Sequence, residues 1–175
     1  MLPAESTLGC ILTAPWLAPA EPLTRGWRIF AEVANLLAPG LRVSNGLSSD
    51  MMSADPKMIA DSASDSLLLR AATPRWYVSA LRVQQEVFKD AAKFRLPLYC
   101  VMGDNDRIAD RTAAERFVSQ VGSVSRQFEL IPGGRHEILR DSARWTTLSR
   151  ILNWMTAQAA AEESVSPRRI RTNVD

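Results

Sequence analysis

A single histidine and a group of aspartates are the residues of this sequence best suited to acid–base chemistry. His136 is the only histidine among 175 residues and lies in IPGGRHEIL (131–139), shortly after two glycines. Asp104, Asp106 and Asp110 lie in the acidic segment VMGDNDRIAD (101–110). Histidine is the side chain that most readily takes up and releases a proton near neutral pH. These two segments are therefore the candidates for a catalytic site.

Each of the two segments follows a predicted buried strand. LPLYCVMGD (96–104) and RQFELIPGG (126–134) are apolar runs that stop at glycine, and the helically spaced DRTAAERFVSQVG lies between them. Strand, helix and strand in this order form a right-handed crossover, so the strands pair in parallel. Neighbouring strands lie about 4.8 Å apart, which lets side chains from adjacent C-terminal loops meet. We expect an aspartate of the first loop, Asp104, Asp106 or Asp110, within hydrogen-bond distance of His136.

The remaining sequence predicts an α/β fold with a helical insertion. LGCILTAP (8–15) is typical of a strand buried in a parallel sheet. The insertion contains two amphipathic helices, TRGWRIFAEVANLLAPG and TPRWYVSALRVQQEVFKDAAKF, and follows a strand end, where α/β enzymes bind ligands. We therefore divide the chain into a first core strand (1–17), a helical cap (18–95), a C-terminal core with the Asp and His loops (96–160) and a disordered basic tail (161–175).

A last amphipathic helix is predicted after His136. The segment SARWTTLSRILNWMTAQAAA carries an apolar face that we expect to cover the sheet, formed by Trp145, Leu148, Ile151, Leu152 and Met155. Glu137 should begin a helix and face the solvent.

Composition disfavours several classes of function. Lys and Arg number 21 against 19 Asp and Glu, so no nucleic-acid partner is predicted, and contact through the arginines of SPRRIRTNVD is a weak alternative. No run approaches the roughly 18 apolar residues of a membrane span. A secretory signal is disfavoured because Glu5, and no Lys or Arg, precedes the first apolar run. Cys10 and Cys100 lie in apolar runs, so we predict buried thiols, no metal site and no cofactor. A cytoplasmic location is expected.

An aspartate paired with a histidine forms two thirds of a nucleophilic triad. The carboxylate fixes the imidazole tautomer, and the other ring nitrogen takes a proton from serine. In α/β-hydrolases the chain order is Ser, Asp, His, and the last two occur here in that order. An Asp-x-Asp sequence at a strand end is also found in Mg²⁺-dependent hydrolases, although Arg107 intervenes here. Asp104 and Asp110 are expected to form a turn and a helix N-cap, and a packed structural role for His136 stays open.

The sequence resembles the monoacylglycerol lipase and bacterial lysophospholipase branch of the α/β-hydrolases, the serine aminopeptidase S33 or Hydrolase_4 group. The resemblance extends from about residue 8 to residue 155. It includes GCILTAP, GLSSDMMSADPKMIADSASDSL, LPLYCVMGDNDRIAD, and LIPGGRHEIL followed by a helix with Trp154. It implies that Asp106, three residues after Gly103, is the catalytic acid and that His136 is the catalytic base.

The nucleophile motif of that family, G-x-S-x-G, does not occur in this sequence. In the family this motif and the oxyanion-hole loop lie upstream of the strand at which this chain begins. GLSSD offers Gly46 and Ser48 but has Asp50 where the second glycine belongs, and it lies within the cap. We expect a truncated reading frame or a fragment, in which the far edge of the first strand is bare and open to another chain.

Two functions remain open on the sequence. The first is a carboxylic ester hydrolase for monoacylglycerol or lysophospholipid-like esters, in which His136 shuttles a proton and Asp106 orients it; an amide substrate is an open variant. The second is a catalytically silent fragment or an interaction subunit that completes another chain. Met51, Met52 and Trp76 are candidates for acyl-chain binding, although helix packing explains them equally well. The expected partners are a small acyl ester or lipid, and peripheral contact with a lipid surface is an option.

Overall fold

The computed structural model describes residues 7–165, and the predicted α/β fold with parallel strands, flanking helices and an insertion is confirmed. In chain order its elements are β1 (Cys10–Thr13), α1 (Arg25–Leu37), β2 (Val43–Ser44), α2 (Ser49–Met52), α3 (Pro56–Ser64), β3 (Ala71–Ala72), α4 (Pro74–Asp90), a 3-10 turn (Ala91–Lys93), β4 (Leu98–Gly103), α5 (Arg111–Gln120), β5 (Arg126–Ile131) and α6 (Arg144–Val165).

The main sheet has the strand order β1-β4-β5, and both pairings are parallel. Leu98 of β4 pairs with Cys10 on one side and with Arg126 on the other. Every residue of β4 is buried, as its apolar sequence predicts for a central strand. Within residues 7–165, β1 pairs with β4 alone. The C-terminal ends of β4 and β5 lie side by side, which places their loops at one edge of the sheet.

Successive side chains of β4 point to opposite faces of the sheet. Leu98, Cys100 and Met102 belong to a core with the apolar face of α5. Tyr99 and Val101 belong to a second core with Ile131, Ile138 and Ile151. The helices α5 and α6 therefore cover opposite faces, and β4 lies between two apolar layers.

The face through which helix α6 contacts the sheet agrees with the predicted one at Ile151 and differs from it at three other positions. Thr147 and Ile151 are buried, and Trp154 stacks on Tyr99 with ring centroids 5.8 Å apart. Of the predicted face, three members are instead exposed: Trp145, Leu152 and Met155. Two stripes of helical spacing share this segment, and the contact with the sheet selects between them. The prediction was therefore wrong for these three residues.

Two predicted boundaries near the C-terminal half also differ from the structure. Glu137 lies in a loop, where its N–H donates to the carbonyl of Met52 at 2.8 Å, so the prediction that it begins a helix was wrong. Helix α6 continues through Val165, into the segment predicted as a basic tail from residue 161. The rest of that predicted tail, 166–175, lies outside the described residues.

The cap contains two long helices and a small sheet. Helices α1 and α4 pack against each other, and each begins after a threonine whose hydroxyl accepts a backbone N–H of the first turn, Thr24 from Trp27 and Thr73 from Trp76. Strands β2 and β3 form an antiparallel pair that the prediction of a helical insertion omitted. Two-residue strands are too short for an alternating pattern to be visible in the sequence.

Candidate active site

The loops after β4 and β5 approach each other through two glycines. A Cβ added to Gly103 would lie 2.0 Å from the carbonyl oxygen of Gly134, so only glycine allows this approach. The carbonyl of Gly134 also accepts the N–H of Asn105 at 3.0 Å. The two loops are thus joined backbone to backbone directly above the paired ends of the strands.

Asp104 and Asp110 have structural roles, as their positions predict. Asp104 accepts the N–H of Gly133 at 2.7 Å, and Gly133 adopts a left-handed φ of 70° that favours glycine. Asp110 is the N-cap of α5 and accepts the N–H of Thr112 at 2.8 Å. Asp104 therefore holds the turn that precedes the histidine.

Asp106 and His136 form a hydrogen-bonded pair. Oδ2 of Asp106 lies 2.9 Å from Nδ1 of His136. Oδ1 of the same carboxylate accepts the N–H groups of Ile108 at 2.8 Å and Ala109 at 2.9 Å. The Asp106 side chain is 1% exposed and that of His136 is 25% exposed. The backbone thus fixes the buried carboxylate, and the carboxylate fixes the ring.

This pairing determines which ring nitrogen of His136 is available for chemistry. A carboxylate is an acceptor, so the neutral imidazole carries its proton on Nδ1 and leaves Nε2 free to take one. The ring can therefore remove a proton from a hydroxyl and later return it, and Asp106 stabilises the imidazolium formed between these steps. No group of three or more His, Cys, Asp or Glu side chains within residues 7–165 is arranged to hold a metal ion.

His136 lies at two neighbouring cavities. The larger has a volume of about 1090 Å³ and is lined mainly by cap residues, including Trp27, Phe30, Met51 and Trp76, together with Trp16 from the segment after β1. Trp16 and Trp76 are stacked with ring centroids 5.5 Å apart. The smaller cavity, of about 280 Å³, lies between residues 13–14 at the end of β1 and residues 136–140. An apolar chamber and a small recess thus meet at the imidazole.

The three predicted acyl-binding residues do not share one environment. Met51 and Trp76 line the larger cavity together with His136. Met52 does not; its side chain is 7% exposed and its carbonyl accepts the N–H of Glu137. Met52 thus has a packing environment, and its role in substrate binding stays a prediction. Adjacent residues on a four-residue helix point in different directions, so only one of the two methionines reaches the cavity.

Ser48 forms a hydrogen bond within the cap. Its hydroxyl donates to Oδ1 of Asp50, and it stands directly before α2. This hydrogen bond, with the guanidinium of Arg107 at 3.2 Å, holds the pKa of Asp50 below its ordinary value. The cavity is lined by the neighbouring Gly46 and Leu47 rather than by Ser48. That GLSSD is not a nucleophile motif stays a prediction.

Two charged residues of the site, Arg42 and Arg107, were not predicted from the sequence. Arg42 and Arg107 line the larger cavity, and Arg107 also pairs with Asp50 of the cap. The position of Arg107 directly after Asp106 was the signal that could have indicated it. Arg42 lies on an irregular stretch of the cap, where no pattern in the sequence places it near His136.

Solved structures with a similar fold include lipases. A monoacylglycerol lipase of Paleococcus ferrophilus superposes with a TM-score of 0.78 at 21% identity, over 86% of this chain and 59% of that chain. A soluble variant of monoglyceride lipase from Saccharomyces cerevisiae, solved with a substrate analog, gives a TM-score of 0.74 at 21% identity, over 86% of this chain and 56% of that chain. The fold is therefore that of the α/β-hydrolases.

Sequence comparison leads to the family. Phospholipase YtpA of Bacillus subtilis is 27% identical over 137 residues, which cover 78% of this chain and 53% of that protein. An uncharacterized abhydrolase domain-containing protein of Dictyostelium discoideum is 23% identical over 163 residues, 91% of this chain and 17% of that protein. The chain thus spans about half the length of YtpA and a smaller part of the second relative. The family described as Serine aminopeptidase, S33 (Hydrolase_4) matches residues 2–143, and the chain belongs to this family.

Proposed function

We propose that this chain provides the acid–base pair and the substrate cap of a serine-type carboxylic ester hydrolase that acts on monoacylglycerol or lysophospholipid-like esters. The observation that carries the proposal is the buried Asp106 carboxylate 2.9 Å from His136, at the wall of an apolar cavity of about 1090 Å³. The lipid class is supported by the similar proteins, which include monoacylglycerol lipases and a phospholipase.

The proposed reaction uses a serine from a segment outside these 175 residues. The serine Oγ attacks the acyl carbonyl carbon while its proton passes to Nε2 of His136, and Asp106 stabilises the resulting imidazolium. The ester C–O bond then breaks, and the departing alcohol takes the proton from Nε2. Water repeats the sequence on the acyl-enzyme and releases the fatty acid. We assign the recess between residues 13–14 and His136 to the attacking serine, because it reaches the ring from the core side.

The larger cavity is the proposed acyl-chain site. Met51 and Trp76, with Trp27 and Phe30, supply flexible and aromatic apolar surface of the kind that accommodates lipid tails. Its volume is at the upper end of the roughly 300–1,000 Å³ of ordinary ligand sites, as a long acyl chain requires.

A peripheral lipid contact is proposed for α1. Its outer face presents apolar side chains to solvent, namely Ile29, Val33, Leu36 and Leu37, and Leu36 is 81% exposed. Trp27 and Phe30 of the same helix line the cavity, so a lipid surface at α1 would lie next to the acyl-chain site. None of the helices in 7–165 is both long and apolar enough to cross a bilayer. We expect cosedimentation with phosphatidylcholine vesicles, reduced severalfold by Leu36→Asp; unchanged binding by this variant would refute the contact. The cytoplasmic location stays a prediction.

The catalytic proposal is tested in two steps. First, the 175-residue chain is treated with a fluorophosphonate probe, and we expect no labelling, because it contains no G-x-S-x-G. Second, the reading frame upstream of Met1 is sequenced and, where it encodes an in-frame G-x-S-x-G, the longer product is assayed on monoacylglycerol. His136→Ala should then lower kcat on the order of 10⁴ to 10⁶-fold.

Other outcomes would change the assignment. Labelling of a serine within the 175 residues would overturn the proposal that the nucleophile lies elsewhere. Unchanged turnover in His136→Ala would overturn the role of the histidine. An upstream stop codon with unrelated sequence would favour the second candidate, a silent or interaction subunit, which is motivated by the lack of G-x-S-x-G and by the pairing of β1 on one side only among the described residues.

A further inference from the structure

A buried carboxylate close to His136 has no part in the proposed reaction. Asp141 is 0% exposed, yet its oxygens accept hydrogen bonds from two separate parts of the chain. Oδ2 accepts the N–H of Arg135 at 2.7 Å. Oδ1 accepts the N–H groups of Ala54 and Ser142, each at 2.7 Å, and the hydroxyl of Ser53 at 3.3 Å. One side chain therefore links the loop of the histidine to the cap.

The two oxygens of Asp141 divide their partners by origin. Oδ2 holds the residue that directly precedes His136, and Oδ1 holds the junction of α2 and α3, residues 53–54. The cap also contacts this loop and the start of α6 through five further bonds: Arg135 Nη1 to the carbonyls of Asp50 and Ser53, Glu137 N–H to the Met52 carbonyl, the Ser53 hydroxyl to the Arg140 carbonyl, and Arg144 Nη1 to Asp55. Asp141 is the group in which both sets of contacts meet.

Because Asp141 is buried and charged, it depends on all of its hydrogen-bond donors. Burial alone would raise the pKa of Asp141, but the N–H groups of Arg135, Ala54 and Ser142 outweigh it and hold the pKa below its ordinary value. The group is therefore an anion at neutral pH. A buried anion that loses one donor is left with an uncompensated charge, so loss of the bonds on one oxygen also disturbs those on the other.

We infer that Asp141 is a positioning residue that couples docking of the cap segment 53–55 to the placement of His136. With the cap docked, Arg135 is held from Oδ2 and the imidazole that follows it is held against Asp106. With the cap displaced, the same carboxylate loses the Ala54 and Ser53 donors, and the histidine loop is loosened with it. The base is then in place only when the acyl-chain site is closed over it. The catalytic meaning of this coupling rests on the proposed function, whereas the coupling itself does not.

Hydrogen exchange and histidine NMR of the full 175-residue chain test the coupling without any ester turnover. Ser53→Ala removes the cap-side hydroxyl, which lies 3.3 Å from Oδ1 of Asp141 and 3.2 Å from the Arg140 carbonyl and accepts the N–H of Asp55. The Ser53 carbonyl that accepts from Arg135 belongs to the backbone and is kept. Asp141→Asn replaces one acceptor oxygen by a donor. Thr147→Val is the matched control, because Thr147 is equally buried nearby and its hydroxyl bonds only the Ala143 carbonyl.

The expected result is a joint loss of protection. In Asp141→Asn the exchange of the Arg135 and Ala54 amides should rise about tenfold or more relative to the amides of β4, because hydrogen bonds to a charged group are strong. In Ser53→Ala a smaller rise should still occur at Arg135, with a second set or broadening of the His136 imidazole signals. Thr147→Val should change neither.

One pattern would overturn the inference. If Ser53→Ala exposes the Ala54 amide while Arg135 exchange and the His136 signals stay as in the unmodified chain, cap and histidine are not coupled. If Asp141→Asn does not fold, the comparison of Ser53→Ala with Thr147→Val decides the question by itself. Failure of the proposed ester hydrolysis would leave these readouts unchanged, so the two ideas fail separately.

Discussion

Asp106→Asn offers the sharpest test of how the site is built, because asparagine keeps the shape of the side chain and changes one partner. Oδ1 of Asp106 accepts two backbone N–H groups and Oδ2 faces Nδ1 of His136. An asparagine can keep both backbone bonds only by placing its oxygen at Oδ1. Its NH₂ then faces Nδ1 of the ring, where a donor already points.

The size of the effect follows from the bond that is exchanged. A hydrogen bond to a buried carboxylate contributes about 1.5–3 kcal/mol. At about 1.4 kcal/mol per factor of ten, the unmodified chain should hold more than about 90% of its neutral imidazole with the proton on Nδ1. In Asp106→Asn the ring must accept from the amide at Nδ1, so the proton moves to Nε2. The atom that should act as base is then blocked.

The assay uses the fact that His136 is the only histidine. Long-range ¹H–¹⁵N correlation of an untagged, ¹⁵N-labelled chain at about pH 9 shows one imidazole, and its two nitrogen shifts report the tautomer directly. We expect a protonated Nδ1 in the unmodified chain and a protonated Nε2 in Asp106→Asn.

The control and the refuting result are equally direct. Asp104→Asn alters the acid that holds Gly133 and should leave the tautomer unchanged. A folded Asp106→Asn that keeps its proton on Nδ1 would refute the argument that this carboxylate sets the tautomer. In a longer product with the nucleophile, the same substitution should lower kcat by about 10⁴-fold.

Three further predictions concern packing and charge. Gly103→Ala should lower the free energy of unfolding by more than about 3 kcal/mol, because its Cβ would lie 2.0 Å from the backbone of the histidine loop. Gly26→Ala has nothing within 4 Å of the added Cβ and should be neutral or stabilising. Urea unfolding compares the two variants, and equal stabilities would contradict the close approach. Met52→Ala should lower the free energy of unfolding by about 2–4 kcal/mol, and Met51→Ala should lower it far less. Only Met51→Ala should weaken binding of a fluorescent fatty acid, because Met51 lines the larger cavity. The reverse order would contradict the placement of the two methionines. The pKa of Asp141 is lowered in the folded state, so the contribution of its charge to stability is complete above the unfolded pKa of about 3.9 and is lost as the pH falls through the folded pKa. As the pH falls below about 4, the melting temperature of the unmodified chain should therefore drop more steeply than that of Asp141→Asn.

The approach of an aspartate of the β4 loop to His136 could be predicted from sequence because it follows from a topological rule, and the family resemblance selected Asp106. Two apolar runs that stop at glycine, with a helix between them, define adjacent parallel strands, and loops at their ends must be neighbours. The structure places the two side chains 2.9 Å apart. The close approach of Gly103 and Gly134 that permits this distance is a contact between backbones, so no pattern of side chains in the sequence predicts it.

Other features could not be read from the chain because local patterns leave them open. The segment of α6 has two stripes of helical spacing, and only the sheet decides that Thr147 faces inward while Trp145, Leu152 and Met155 are exposed. Met51 and Met52 are adjacent and chemically alike, so their different environments depend on how α2 is docked. Asp141 was not recognised as a central residue because its partner Ala54 is 87 residues away.

The sequence by itself determined the parallel α/β class, the presence of a large insertion and the neighbouring positions of the aspartate and histidine loops, because strand patterns, glycine stops and residue types are local properties. Only the tertiary structure decided the tautomer available at His136, the wall of the cavity and the link from the cap through Asp141. Those properties depend on which donor meets which acceptor across distant parts of the chain, and a buried polar group is satisfied only by the partners that folding brings to it.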